Sequence, residues 1–154
     1  MSDLLQNGKE LKTKEILEFL QTVNFDFPIP LEQKVDLTEY AQKIKEKATL
    51  FAIKGEMSSI RGLIAGYTNN PESNLAYVSL LAVQSNERGK GLSKILLNKF
   101  LEDCQKKGIQ RVHLYTTKNN VVAQNLYKRF GFVPYVLNDE IRKEDVHLIC
   151  HINE

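Results

Sequence analysis

The segment from Leu75 to Thr117 constrains the fold more than any other part of the chain. It opens on LAYVSLLAV (75–83), a run almost wholly apolar and rich in β-branched and aromatic side chains. Such a run reads as a strand covered on both faces of a sheet. The turn-rich QSNERGKG (84–91) follows, and LSKILLNKFLEDCQKKG (92–108) then sets Leu92, Ile95, Leu96, Phe100 and Cys104 along one helical stripe. Lys106, Lys107 and Gly108 form a helix stop signal, after which IQRVHLYTT (109–117) alternates as a second strand. Strand, helix, strand in this order is a right-handed parallel crossover. A glycine-rich turn sits at its first junction.

The remaining elements group around that crossover. KTKEILEFLQTV (12–23) carries Ile16, Leu17, Leu20 and Val23 at helical spacing. NFDFPIPL (24–31) cannot extend that helix, because Pro28 and Pro30 lack an amide proton and bias the residues before them to extended backbone. DLTEYAQKIKEKA (36–48) resumes as a helix, with Asp36 as N-cap and Glu39 at the reciprocal capping position. TLFAIKG (49–55) and IRGLIAGYT (60–68) read as paired strands joined through EMSS. After the crossover, NNVVAQNLYKRFGF (119–132) reads as a short helix stopped by Gly131, and VPYVLN (133–138) and VHLICHIN (146–153) as closing strands. Strands separated by helices give a mixed α/β (α+β) sheet. No repeat or linker divides residues 1–154, so one domain is expected.

Composition narrows the function classes. Twenty-one basic residues against 19 acidic ones leave a net charge of +2, with the two signs interleaved along the helices. This gives no case for a nucleic-acid or anionic-membrane partner. No apolar run approaches the ~20 residues a membrane helix needs. The N-terminus lacks a signal-peptide profile, so a cytoplasmic location is the default expectation. Cys104 and Cys150 lie too far apart for a metal motif and fall on apolar stripes, which reads as core packing. A metal site is not expected: His147 and His151 are separated by roughly 13 Å along a strand, and His113 belongs to another strand. Ser79 lacks a His–Asp partner set and a nucleophile-elbow sequence.

The glycine turn supports two readings. Unpaired amides and the dipole at a helix N-terminus attract a phosphate, and Gly89 and Gly91 would let a ligand approach the backbone closely. Equally, the turn could be a solvated connection carrying surface charge. It is not a Walker A loop, which needs a Gly-Lys-Ser/Thr end after four intervening residues. Nor does it match the dinucleotide fingerprint, where a third glycine would replace Lys94 and a carboxylate would follow the next strand.

Arg88-Gly-Lys-Gly91-Leu-Ser93, between a strand ending in Val83 and an amphipathic helix, resembles the acetyl-coenzyme A loop of the GCN5-related N-acetyltransferases (GNAT). That loop reads Gln or Arg, two residues, Gly, one residue, then Gly or Ala. Arg88 and Gly91 match, and Ser93 is a small replacement at the last position. One strand later, Asn120-Val-Val-Ala123-Gln-Asn-Leu126-Tyr127-Lys-Arg129-Phe-Gly131-Phe132 is similar to the family's Asn-x-x-Ala-x-x-Leu-Tyr-x-Lys-x-Gly-Phe helix, with Arg129 for Lys. The resemblance is close over about residues 75–135.

It implies a GNAT-like fold: a mostly antiparallel sheet flanked by helices, with strand 75–83 splayed from a parallel neighbour at the cofactor cleft. It implies acetyl-coenzyme A as acyl donor, its pantetheine arm beside Leu81, Ala82 and Val83 and its diphosphate on Arg88, Gly89, Lys90, Gly91, Leu92 and Ser93. Asn120 and Ala123 would flank the arm, although Asn120 is also a natural helix N-cap. Tyr127 would act as the acid toward the leaving sulfur. A phenol keeps its proton to about 10 and a thiol to about 8.5, and positioned proton transfer is worth roughly 10²–10⁴ in rate. The same side chain could instead be a half-buried helix tyrosine. Strand 75–83 lacks the carboxylate base common in the family, so Tyr77 and Ser79, on one face by period-two alternation, are candidates for a proton relay. Phe25, Asp26 and Phe27 lie in the loop that lines the acceptor site in this family, with Tyr77 beside them.

The function implied is N-acetyl transfer to a primary amine of a small molecule by direct attack in a ternary complex. The alternatives are a protein N-terminal or lysine acetyltransferase and a non-catalytic acyl-coenzyme A-binding module. Monomer and homodimer are both compatible with the sequence.

Overall fold

The computed structural model describes residues 4–55, 59–69, 74–135 and 144–152. Its strands are β1 (Leu4–Asn7), β2 (Thr49–Lys54), β3 (Ile60–Tyr67), β4 (Leu75–Val83), β5 (Arg111–Thr117), β6 (Val133–Pro134) and β7 (Asp145–His151). The helices are α1 (Thr13–Val23), α2 (Leu37–Lys47), α3 (Leu92–Lys106) and α4 (Val121–Arg129). Among the described residues the strands form one sheet in the order β1-β2-β3-β4-β5-β7-β6. The β4–β5 pair is parallel and the others are antiparallel. This is the GNAT-like α/β architecture, in which the adjacent parallel strands β4 and β5 are joined by a crossover through α3.

Local chemistry explains most boundaries. Asp36 caps α2 by accepting a hydrogen bond from the Glu39 amide at 3.0 Å. Gly108 and Gly131, at φ +76° and +91°, close α3 and α4 in the left-handed region that glycine tolerates. β1 is an addition to the sequence reading, because four residues, LLQN, are too short to show a period. Of the expected strand 133–138, only Val133 and Pro134 are in the sheet and Tyr135 lies beyond it; 136–138 fall outside the described residues, as does most of the EMSS turn.

Two cores sandwich the sheet. Leu96, Phe100, Cys104 and Tyr127 from α3 and α4 pack with Ile64, Val78, Val112 and Cys150 on one face. Ile16, Phe19, Leu20, Tyr40 and Ile44 from α1 and α2 pack with Leu63, Ala65, Leu80 and Ala82 on the other. Gly66 lets the Phe100 ring lie against the sheet: a Cβ there would sit 2.4 Å from Phe100 Cζ. Burying such a ring contributes about 1.5–3 kcal/mol.

One irregularity positions the site. Ala65 pairs with Leu80, but Gly66 pairs with Val78, so Ser79 is an extra residue on β4. A bulge exchanges the faces served by odd and even positions. Ala76 and Val78 accordingly join the α3-side core, whereas Leu80 and Ala82 join the α1–α2 core. Beyond the bulge β4 turns away from β5, and their pairing is confined to Leu75–Tyr77 against Arg111–His113. The expected splay is present. No described helix is long and apolar enough to cross a membrane.

Candidate active site

At the start of α3, Gly89 and Gly91 have φ of +82° and +81°, and no side chain caps the helix. No heavy atom lies within 4 Å of where a Cβ would stand on either glycine, leaving the backbone open to a ligand. The first-turn amides of α3 therefore face a site that an anion can fill. A cavity of about 710 Å³ begins there, lined by Arg88, Gly89, Gly91, Leu92 and Ser93. It continues past Leu81, Ala82 and Val83 in the β4–β5 gap to Asn120, Ala123 and Tyr127 of the α4 region. Lys90 is not part of its wall; its ammonium lies 3.1 Å from Glu87. Arg61 also binds Glu87, and these two hydrogen bonds hold the Glu87 carboxyl below its ordinary range.

A second cavity, about 350 Å³, lies on the α1–α2 side of the gap. Phe27, Tyr40, Tyr77, Ser79, Tyr115 and Asp145 line it, and Lys34 reaches its wall. Phe27, Leu81, Asn120, Ala123 and Tyr127 border both cavities, so Tyr127 stands where they meet. Its ring is 7 % exposed and packs against Phe132 with centroids 5.6 Å apart. Burial pushes the Tyr127 phenol well above its ordinary value, so it is neutral throughout the physiological range.

The other anticipated residues are placed unevenly. Asn120 caps α4, its Oδ1 accepting from the Ala123 amide at 3.2 Å, and still borders both cavities. Tyr77 and Ser79 share the wall of the smaller cavity, but Ser79 Oγ is 2.5 Å from the Tyr40 hydroxyl. Burial is the main cause that raises the Tyr40 phenol. Asp26 lines the larger cavity rather than the smaller, and its carboxylate lies 3.3 Å from the Arg88 guanidinium. Phe25 is 74 % exposed and borders neither cavity, because the loop turns on the buried Asn24, whose Oδ1 accepts from the Glu32 amide at 2.7 Å.

His113 and His147, set apart in the sequence reading, meet across β5 and β7 with Nδ1 and Nε2 2.8 Å apart. Tyr115 stacks on His147 at 4.3 Å and 11°. The antiparallel β5–β7 register brings them together, which spacing along the chain cannot show. Lys34, Tyr40, Lys94, Tyr115, Arg129 and Asp145 are cavity residues missed by the sequence-based assignment. Alternation in 109–117 put Tyr115 on the His113 face, but Asp145 reaches the site only through its pairing with Thr117.

Comparisons with known proteins define the class. Residues 16–132 match the model of the acetyltransferase (GNAT) family, and the chain belongs to that family. It is 29% identical to an N-acetylaspartate synthetase of Xenopus tropicalis over 100 residues, covering 64% of this chain and 36% of that protein. It is 35% identical to N-alpha-acetyltransferase 30 of Saccharomyces cerevisiae over 57 residues, 37% of this chain and 32% of that one. The matches thus span about a third of either relative's length. The crystal structure of the PaiA N-acetyltransferase of Thermoplasma acidophilum in complex with coenzyme A superposes with a TM-score of 0.75, at 17% identity, over 98% of this chain and 99% of that one.

Proposed function

We propose that this chain is an N-acetyltransferase that carries the acetyl group of acetyl-coenzyme A to a primary amine of a small molecule, by direct attack in a ternary complex. One observation carries the reading: a cavity that starts at an uncapped helix N-terminus ends at a buried phenol, where a second, smaller cavity begins. Residues 88–93 suit a diphosphate. Leu81–Val83, paired with β3 on one side, leave their β5-facing backbone edge outside the ladder for an amide-bearing arm, and the small Ala123 leaves room beside it. Acetyl-coenzyme A supplies the activated acyl group. The amine nitrogen bonds to the acetyl carbon, the carbon–sulfur bond breaks, and a proton leaves the nitrogen.

Tyr127 provides a neutral hydroxyl for the sulfur. Because burial raises its pKa, complete proton transfer to a thiolate of pKa about 8.5 is uphill, and its contribution is a hydrogen bond to the charge developing on sulfur. Tyr77 lies on the acceptor side and with water can pass the ammonium proton outward; Ser79 is engaged with Tyr40. The likeness to N-alpha-acetyltransferase 30 favours a protein N-terminus as the second reading.

Thiol release with a panel of free amines and peptide amines tests both. Free amines should be turned over, and Tyr127→Phe should lower kcat by roughly 10²-fold or more while melting with the wild type. Faster turnover of peptides would establish the second reading. Coenzyme A binding with no release for any amine would make the chain a binding module.

A further inference from the structure

The wall of the larger cavity carries two carboxylates, Asp26 and Glu87, beside the turn assigned to a diphosphate. A carboxylate next to an anion site repels the guest unless it is neutralised. Asp26 pairs with Arg88 at 3.3 Å, and their side chains are 28 % and 56 % exposed. Glu87 is held differently. Its Oε2 accepts from both the Arg61 guanidinium and the Lys90 ammonium, and the Arg61 and Glu87 side chains are only 12 % and 16 % exposed. Arg61 belongs to β3 and lies outside the cavity wall. It grips the segment after β4 at both ends. Its carbonyl accepts from the Gln84 amide at 2.9 Å, beside a 2.6 Å bond from Gln84 Nε2 to the Ile60 carbonyl, and its guanidinium takes Glu87. Between these points Ser85–Glu87 make one short 3-10 turn, in which the Glu87 amide donates to the Gln84 carbonyl at 2.9 Å. Glu87 then reaches forward to Lys90, which stands between Gly89 and Gly91. Glycine has more backbone freedom than any other residue, so an unpacked glycine turn gains most from a hold outside itself.

Resting on the reading that this turn binds the diphosphate of acetyl-coenzyme A, we propose that Glu87 and Arg61 are positioning residues for that diphosphate. Glu87 ties Lys90 in the turn to Arg61 in the sheet, so the amides of residues 89–93 are set before the ligand arrives. The complex is then spared the ordering of the turn, a gain of roughly three- to tenfold in affinity for about one immobilised side chain. Charge and position predict opposite signs here. Removing Glu87 takes a negative charge from the wall and releases Lys90 to meet the diphosphate, so charge by itself predicts tighter binding. The positioning role predicts weaker binding.

The test is calorimetric coenzyme A binding, at low and high salt, to wild type, Glu87→Met, Arg61→Met and the double variant, with the ligand-free melting temperature of each. Glu87→Met should raise Kd roughly three- to tenfold, by nearly the same ratio at both salts, because the loss is one of geometry. Arg61→Met should also weaken binding although its side chain is outside the cavity. In that variant a less neutralised carboxylate adds repulsion, so the double variant, which has no such carboxylate, separates the two causes. It should be as weak as Glu87→Met and no weaker, since both break one tie. Unchanged or tighter binding in Glu87→Met or in the double variant would overturn the inference and leave the acetyl-coenzyme A site standing. So would lower melting temperatures with an unmoved Kd, the mark of a merely structural role. Failure of coenzyme A to bind the wild type would overturn both readings.

Discussion

Replacing Gly91 by alanine separates the backbone strain of this loop from its ligand-binding role. Gly91 has φ +81° and Gly108, just beyond the other end of α3, has φ +76°. Neither has a neighbouring heavy atom within 4 Å of an added Cβ, so a methyl group meets no steric clash at either position. What remains is the cost of holding an L residue in the left-handed region, about 1–2 kcal/mol. Gly91→Ala and Gly108→Ala should therefore be destabilised alike, by roughly 2–8 °C in melting temperature for a chain of this size. They should differ sharply with ligand. Coenzyme A at a hundred times its Kd should add about 2.7 kcal/mol to wild type and to Gly108→Ala. Gly91→Ala places a methyl group on the cavity wall where the amides must approach the diphosphate, and should lose most of that gain. Differential scanning fluorimetry with and without coenzyme A reads both effects. Equal ligand-induced shifts in the two variants would refute the role assigned to the loop backbone.

Gly66→Ala should cost about 1–3 kcal/mol in urea unfolding, because its Cβ would stand 2.4 Å from Phe100 Cζ and 2.8 Å from the Tyr77 carbonyl oxygen. Asp26→Asn removes the carboxylate that pairs with Arg88 on the wall of the larger cavity, and calorimetry should show tighter coenzyme A binding at low salt, with the gain shrinking as salt screens it. The Glu15 carboxyl is held below its ordinary 4.5 chiefly by the hydrogen bond from Lys54, so the stability it adds is present above that pH and is lost as pH falls through the lowered value. Glu15→Gln should accordingly flatten the loss of stability on acidification below about pH 4.5, as read by urea midpoints across pH.

Sequence periodicity revealed the crossover, the four helices and the longer strands, because each carries enough residues for its period to show. Capping chemistry located their ends: Asp36 and Gly108 act where their side chain and backbone freedom predict. Much of the lining of the larger cavity was legible too, since it comes from two contiguous motifs around 88–93 and 120–132. The lining of the smaller cavity was not. Ser79 had no sequence mark as a bulge, and that extra residue both splits β4 between two cores and turns it from β5. Asp145, Tyr115 and the His113–His147 contact arise from the β5–β7 register, a pairing between segments some 30 residues apart. Phe25 shows the converse: the resemblance puts it in the loop that lines the acceptor site, yet Asn24 holds that loop and the Phe25 ring is in solvent.

The most direct measurement is a crystal structure of the chain with coenzyme A bound. The account predicts diphosphate oxygens at hydrogen-bond distance, about 2.7–3.2 Å, from amides of residues 89–93, and the sulfur beside the Tyr127 hydroxyl. A diphosphate held elsewhere with this turn empty, or a sulfur remote from Tyr127, would contradict it.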